Sequence, residues 1–110
     1  MFVNRDRVIE ELRLACRRAR ALRKDIDSII LFGSFARGDA GPRSDADLLV
    51  ILADSPHERR MDRIPDLLDA FSPMPVSLDI VPWTKAEVER GRREKHPWLM
   101  MVQSQGMELY

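Results

Sequence analysis

Apolar residues follow a helical spacing at the start of the chain and occur in strand-like runs further on. From Arg5 to Lys24 they recur every three or four residues, which predicts an amphipathic helix. Asn4 is placed as its N-cap, with Val3 and Val8 as a hydrophobic staple around the cap. The side chains predicted to face the core are Val8, Leu12, Ala15, Ala19 and Leu22.

Two short apolar runs follow, Ile29–Phe32 and Leu48–Leu52, and each has the length of a buried strand. Gly33 and Ser34 break the first run, and a short helix is predicted over Phe35–Arg37. Glycines and a proline in the rest of the intervening segment predict irregular structure. The pattern therefore predicts a strand, a tight turn, a loop and a second strand.

The segment after the second strand reads Ser-Pro-His-Glu at positions 55–58, a capping box with proline at the first helical position. It predicts a helix to about Phe71, kinked or split near Ile64 by Pro65. A helix between two strands is a crossover, which allows those strands to lie parallel. The apolar period of this helix consists of Met61, Ile64, Leu67, Leu68 and Phe71.

A third strand is predicted at Val76–Val81, after a turn bracketed by Pro73 and Pro75. Thr84 and Glu87 form a second capping box, which predicts a helix to about Arg92. The pattern then predicts a helix from Pro97 to about Gly106 and a short strand at 107–110. The third strand has Val76, Leu78 and Ile80 on one face, and Trp83 and Val88 form a hydrophobic staple around the second capping box. Trp98, Leu99 and Val102 are interpreted as core residues.

Length and composition predict one soluble globular domain over residues 1–110, with 45% hydrophobic and 33% charged residues. Eighteen basic and eighteen acidic side chains give zero formal net charge, which argues against general nucleic-acid binding. No apolar run is long enough to span a membrane, and the N-terminus lacks the features of a signal peptide. The single cysteine, Cys16, is interpreted as a small packing residue, which suits a reducing cytoplasm.

Asp45 and Asp47 stand one residue apart just ahead of the second apolar run. In a strand, residues i and i+2 point to the same face, so both carboxylates project together and repel unless a cation neutralises them. The Gly33-Ser34 turn ahead of a short helix offers backbone N–H groups and a hydroxyl, a typical anion site. Together they suggest a site for a metal-bound nucleotide.

Asp79 is a charged residue in the middle of a short apolar strand, where an unpaired charge is costly. It is either an edge-strand carboxylate that reaches water or a third carboxylate that joins Asp45 and Asp47. His57 and His96 are interpreted as surface residues rather than metal ligands. The basic side chains of the first helix form either a solvated face or a docking stripe for an acidic partner; they are Arg13, Arg17, Arg20 and Lys24.

The string GSFARGDAGPRSDADL resembles the signature of the polymerase-beta-type nucleotidyltransferases, and in particular the minimal, MntA-like antitoxins. The resemblance implies a small α/β (α+β) nucleotidyltransferase fold, a mixed sheet with helices packed on it. It also implies that Asp45, Asp47 and Asp79 hold two Mg²⁺ ions and that ATP is the donor. The residues assigned to phosphate are Gly33, Ser34, Arg37 and Ser44, although Arg37 could equally pair with Asp39.

In the family that this sequence resembles, the partner is a HEPN toxin, and the antitoxin adenylylates a tyrosine on it. The resemblance thus implies a protein adenylyltransferase in a type VII-like toxin–antitoxin pair. The alternative is a non-catalytic binding module that neutralises a toxin by covering it. Three acids predicted to converge favour the enzyme, because a pure binder has no need of them.

Overall fold

The computed structural model of the chain describes residues 4–41, 43–74 and 76–110. Helices and strands follow one another much as the apolar pattern predicts. In chain order they are α1 (Arg5–Leu22), β1 (Ile26–Phe32), α2 (Gly33–Arg37), β2 (Ala46–Leu52), a 3₁₀ helix (Arg60–Arg63), α3 (Ile64–Phe71), β3 (Leu78–Thr84), α4 (Lys85–Arg93), α5 (Pro97–Gln105) and β4 (Met107–Glu108).

Within the described residues four strands form one mixed sheet in the order β3-β2-β1-β4. β1 pairs antiparallel with β2 and with β4, whereas β2 and β3 run parallel. The parallel pair confirms the predicted crossover, because α3 returns the chain to the end of the sheet where β2 begins, and β3 starts there. The predicted fold class, a mixed sheet with helices packed on it, is confirmed.

Helices cover both faces of the sheet. On one face, side chains of the two central strands such as Ile29, Leu48 and Val50 pack against α1 and α3. On the other face, Leu49 and Ile51 pack in a second cluster with α4 and α5. β2 is therefore apolar on both faces, which explains why it reads as a continuous apolar run rather than an alternating one.

α1 begins as predicted and ends two residues earlier, at Leu22 rather than Lys24. The Asn4 side chain accepts a hydrogen bond from the Arg7 N–H (3.2 Å), which confirms the N-cap; Val3 lies outside the described residues. Leu22 is 71% exposed, so its assignment to the core was wrong. It is the last helical residue and lies at the margin of the stripe, whose centre is taken by the buried Leu12, Ala15, Cys16 and Ala19.

The predicted helix start at 55–58 was wrong. The Ser55 hydroxyl instead accepts a bond from the His57 N–H (3.1 Å) in an irregular segment, and α3 begins only at Ile64. The predicted split near Ile64 is present, because the 3₁₀ helix ends at Arg63 and α3 begins at Ile64. Pro65 lies in the first turn of α3, where its missing N–H costs nothing. Met61 and Leu68 are exposed, and Leu67, Ala70 and Phe71 carry the packing.

The later elements fit their predicted positions more closely. Thr84 and Glu87 make both bonds of the capping box at the start of α4. β3 was predicted at Val76–Val81 but begins two residues later, at Leu78, and runs on to Thr84, three residues beyond the predicted end. Pro82 is tolerated within it because β3 is an edge strand of the described sheet. The predicted helix from Pro97 and the closing short strand are confirmed as α5 and β4. None of the helices in the described residues has the length and hydropathy needed to cross a bilayer.

Arg63 is a buried cation that the apolar pattern could not reveal. Its side chain is 4% exposed and pairs with Glu87, with a shortest nitrogen–oxygen distance of 2.6 Å. The guanidinium also donates to the carbonyl oxygens of His57 (2.9 Å), Glu58 (3.3 Å) and Pro82 (3.2 Å). Arg63 therefore ties the irregular segment after β2 to both β3 and α4.

Candidate active site

The parallel register of β2 and β3 places Asp47 directly opposite Asp79. Neighbouring strands lie about 4.8 Å apart, and residues opposite one another in register share a face. Asp45 lies two residues before Asp47, just ahead of β2, where the Ala46 N–H donates to the carbonyl of Ser77, one residue ahead of β3 (2.8 Å). The backbone thus places the three aspartates at the same end of the sheet.

Asp47 is the half-buried member of this row, and Asp45 and Asp79 are exposed. Burial raises the pKa of the Asp47 carboxyl, and the negative charges of Asp79 and Asp45 raise it further. The positive charge of Arg37 acts in the opposite direction. Asp47 therefore carries repulsion that a bound cation would relieve.

Gly33 brings the Gly-Ser turn directly against these acids. Gly33 is the residue immediately after β1, and the last residue of β1, Phe32, is the register partner of Asp47. Gly33 adopts φ +73°, a left-handed conformation that favours glycine, and a Cβ placed on it would overlap Oδ2 of Asp47. A side chain at this position would strain the backbone and displace the carboxylate. The turn and the acids therefore form one site.

Arg37 and Ser44 have partners within the loop. Arg37 Nε lies 3.3 Å from Oδ2 of Asp39, so the structure contains the ion pair that was one of its two predicted roles. Both side chains are exposed, and such pairs contribute little stability. The Ser44 hydroxyl accepts a bond from the Gly41 N–H (2.8 Å), and the Ser44 N–H bonds back to the Gly41 carbonyl (3.1 Å). Ser44 thereby closes a tight turn ahead of Asp45.

The donor set suits a hard divalent cation. Mg²⁺ prefers carboxylate oxygens and is usually bound by one or two carboxylates together with substrate phosphates. In the rotamers observed, no three His, Cys, Asp or Glu side chains of residues 4–41, 43–74 and 76–110 lie close enough together to hold an ion. The backbone register brings the acids together, and binding by all three would require their side chains to turn toward one another.

An aromatic group lies on the same sheet face as the acids. Phe32 meets Trp98 edge to face, with ring centroids 5.5 Å apart, and Trp98 stacks on Trp83 at 5.4 Å. His96 is exposed, lies edge-on to Trp83 and accepts a long bond (3.5 Å) from the Leu99 N–H. A cavity of about 240 Å³ adjoins Trp83 and is lined partly by Arg60 and His96, away from the row of aspartates.

Replacing Asp47 with asparagine should stabilise the metal-free chain. The change removes a raised-pKa carboxylate that is repelled by two neighbours, and like charges across strands destabilise by roughly 0.2–1 kcal/mol. Because a raised folded-state pKa disfavours the fold once the carboxyl ionises, the gain should be largest at neutral pH and vanish in acid. Thermal unfolding at two pH values would measure it. Asp27→Asn, at an exposed position of β1, is the control and should show no gain.

Comparisons with known proteins identify the family to which the chain is similar. The model of the nucleotidyltransferase domain family matches residues 9–99. The predicted protein adenylyltransferase MJ1305 of Methanocaldococcus jannaschii is 62% identical over 39 residues, which are 36% of this chain and 26% of that protein. A second predicted adenylyltransferase of the same organism, MJ0141, is 35% identical over 51 residues, 46% of this chain and 52% of that protein. The chain thus spans only part of the length of either relative.

Solved structures show the same fold. A predicted nucleotidyltransferase from Sulfolobus solfataricus superimposes with a TM-score of 0.61 at 21% identity, over 78% of this chain and 75% of that one. A toxin–antitoxin structure with AMP-PNP gives 0.53 at 24% identity, over 98% of this chain and 73% of that one. A mutant of the MntA-HpeT toxin–antitoxin gives 0.51 at 22% identity, over the same shares, 98% and 73%. Since the family model covers residues 9–99, the chain belongs to the nucleotidyltransferase domain family.

Proposed function

We propose that the chain is a Mg²⁺-dependent nucleotidyltransferase that transfers AMP from ATP to a hydroxyl group of a partner protein. The observation that carries the proposal is the register of Asp47 with Asp79, on the sheet end where the Gly33 backbone abuts Asp47. A row of three acids beside a glycine turn suits a metal–triphosphate, because the cation would neutralise the acids and the turn would receive the phosphates. Membership of the family supports the reaction type.

The reaction joins the acceptor oxygen to the α-phosphorus and breaks the bond to the β-phosphate oxygen. The acceptor loses its proton, and pyrophosphate leaves. Asp45 and Asp47 would hold the cation at the triphosphate, and Asp79 would complete the site beside the acceptor. Bound Mg²⁺ would supply neutralisation of the charge on the phosphoryl oxygens and a lower pKa for the acceptor hydroxyl.

Gly33 and Ser34 would bind the outer phosphates. The absence of a side chain at Gly33 allows a phosphate to approach the backbone N–H groups beside Asp47. Arg37 lies near enough to Asp47 for its charge to oppose the rise in the pKa of that carboxyl, so its guanidinium could leave Asp39 and meet a phosphate. Ser44 would act mainly by holding the turn that delivers Asp45.

The proposed acceptor is a tyrosine of a HEPN-type toxin. Two structural neighbours are toxin–antitoxin structures, and two relatives are named as protein adenylyltransferases, which supports a protein acceptor. Zero formal net charge disfavours a nucleic-acid acceptor, which would need an excess of basic residues. The chain would then act as an antitoxin that modifies its toxin.

A second candidate function is neutralisation by binding alone. One observation favours it: among the described residues, the side chains of Asp45, Asp47 and Asp79 do not form a metal-holding cluster in their observed rotamers. Under this alternative, the antitoxin would cover the toxin and the acids would contribute no chemistry. The two functions differ in what they predict for the mass of the partner.

Co-expression with the toxin and intact-mass spectrometry would separate the two. The enzyme should add the mass of one or more AMP groups to the toxin and rescue growth, and the Asp45→Asn/Asp47→Asn double variant should do neither. Asp27→Asn should behave as the unchanged chain. Rescue by the double variant with an unmodified toxin would overturn the proposal in favour of the binding module.

A further inference from the structure

Arg5, on the first turn of α1, reaches across to the short helix that carries the Gly-Ser turn. Its Nε donates to the Phe35 carbonyl oxygen (2.8 Å), and its Nη2 donates to the Ala36 carbonyl oxygen (3.1 Å). These are contacts between residues thirty and thirty-one positions apart. We propose that Arg5 is a positioning residue, which fixes α2 and thereby the Gly33-Ser34 turn against Asp47. The inference rests on the proposed function of that site.

α2 needs such support because it is only five residues long. Helices this short are unstable in isolation, and the last carbonyls of any helix have no partner within it. In α2, the Ser34 carbonyl accepts from the N–H groups of Gly38 (2.9 Å) and Asp39 (3.0 Å). Arg5 supplies donors for the next two carbonyls, and a cation at a helix C-terminus is favourable.

The surroundings of Arg5 fit this task. Gly38 ends α2 at φ +85°, a left-handed conformation that favours glycine, and it lies beside the Arg5 side chain. On its other side α2 is anchored by Phe35, which is fully buried in the core. The helix is therefore held by apolar contacts and by the hydrogen bonds of Arg5. Loss of Arg5 would leave the apolar contacts of Phe35 and Ala36.

A small shift of α2 would matter because Gly33 is its first residue and touches the Asp47 carboxylate. A misplacement of about 1 Å at a reacting group can reduce a rate by about a hundredfold. The turn would bind the outer phosphates in the proposed reaction, so its displacement should weaken nucleotide binding first. The acids on β2 and β3 would stay in place.

The test compares Arg5→Met, which keeps the apolar stem, with Arg7→Met. Arg7 occupies the same turn of α1, and among the described residues its side chain makes only an exposed pair with Glu11 (3.5 Å). We expect Arg5→Met to raise the KM for Mg-ATP about tenfold with a smaller change in kcat and in the KM for the partner protein. Arg5→Lys, which retains a donor, should recover part of the loss.

A readout independent of activity is amide hydrogen exchange. In Arg5→Met, the amides of Gly38 and Asp39 should lose about tenfold or more of their protection, and those of β2 should not. A loss of exchange protection spread over the whole chain would show a merely structural role and overturn the inference. So would an unchanged KM for Mg-ATP in a folded Arg5→Met variant. If the unchanged chain transfers no nucleotide, the proposed function fails, and the exchange result still decides whether Arg5 holds α2.

Discussion

Asp47→Asn should reduce nucleotide transfer by about a thousandfold or more while the chain stays folded. Asparagine keeps the size and polarity of the side chain but removes the charge that would hold Mg²⁺. A loss of several kcal/mol of transition-state stabilisation corresponds to a fall of this size. Asp45→Asn should act in the same way. Single-turnover transfer to the purified partner, at saturating Mg-ATP, measures the effect.

Asp79→Asn should also impair transfer, with a stronger effect on kcat than on nucleotide affinity. Asp79 is on β3 and is the member of the row assigned to the acceptor side. Asp27→Asn provides the matched control, since it removes one carboxylate from an exposed site on β1. Transfer within tenfold of the unchanged chain in Asp47→Asn would contradict the assignment of the acids.

Arg63→Met should destabilise the chain by about 3 kcal/mol, at the lower end of the range for breaking a buried ion pair. The change removes three bonds to carbonyl oxygens and leaves Glu87 with Arg60 at 3.6 Å as its remaining cation among the described residues. For a chain of this size, the melting temperature should fall by more than about 10 °C. Chemical denaturation gives the free energy of unfolding directly.

Arg59→Met is the matched control, because Arg59 lies four residues away and pairs with Asp62 (3.0 Å) at an exposed site. Its cost should stay below about 0.5 kcal/mol. An equal loss in both variants would mean that the segment after β2 tolerates no change at all. A loss below about 1 kcal/mol in Arg63→Met would contradict the role assigned to the buried guanidinium.

The ion pair of Arg63 also predicts a pH dependence. Burial acts to raise the pKa of the Glu87 carboxyl, but hydrogen bonds from Arg63 and the Thr84 N–H, with the charges of Arg60 and Arg63, outweigh it and hold the pKa below its ordinary value of 4.5. A lowered folded-state pKa stabilises the fold at pH values above that ordinary value. This stabilisation is lost as the pH falls through the folded-state pKa. Unfolding measured between pH 7 and pH 3 should therefore show a smaller acid loss in Glu87→Gln.

Elements whose signals are local could be predicted from the sequence. The two apolar runs, the Asn4 cap and the Thr84–Glu87 capping box each depend on residues close in the chain, and all four are present. The local signal at 55–58 failed because the Ser55 hydroxyl forms a turn of its own. The helix begins instead where Pro65 fits its first turn.

What the sequence could not reveal depends on contacts between distant residues. The contacts of Arg63 and Arg5 join elements far apart in the chain, and neither residue belongs to a local motif. The sequence predicted three converging acids, but the pairing of Asp47 with Asp79 depends on the register that the crossover sets. The close approach of Gly33 to the Asp47 carboxylate likewise appears only in three dimensions.

The most direct test of the proposed site is a crystal structure of the chain with Mn²⁺ and a non-hydrolysable ATP analogue. Manganese scatters anomalously and accepts the same oxygen ligands as Mg²⁺. We predict an anomalous peak bonded to the carboxylates of Asp45 and Asp47, with the outer phosphates against Gly33 and Ser34. A nucleotide seated in the cavity beside Trp83 instead, or a metal that touches none of the three acids, would contradict the account.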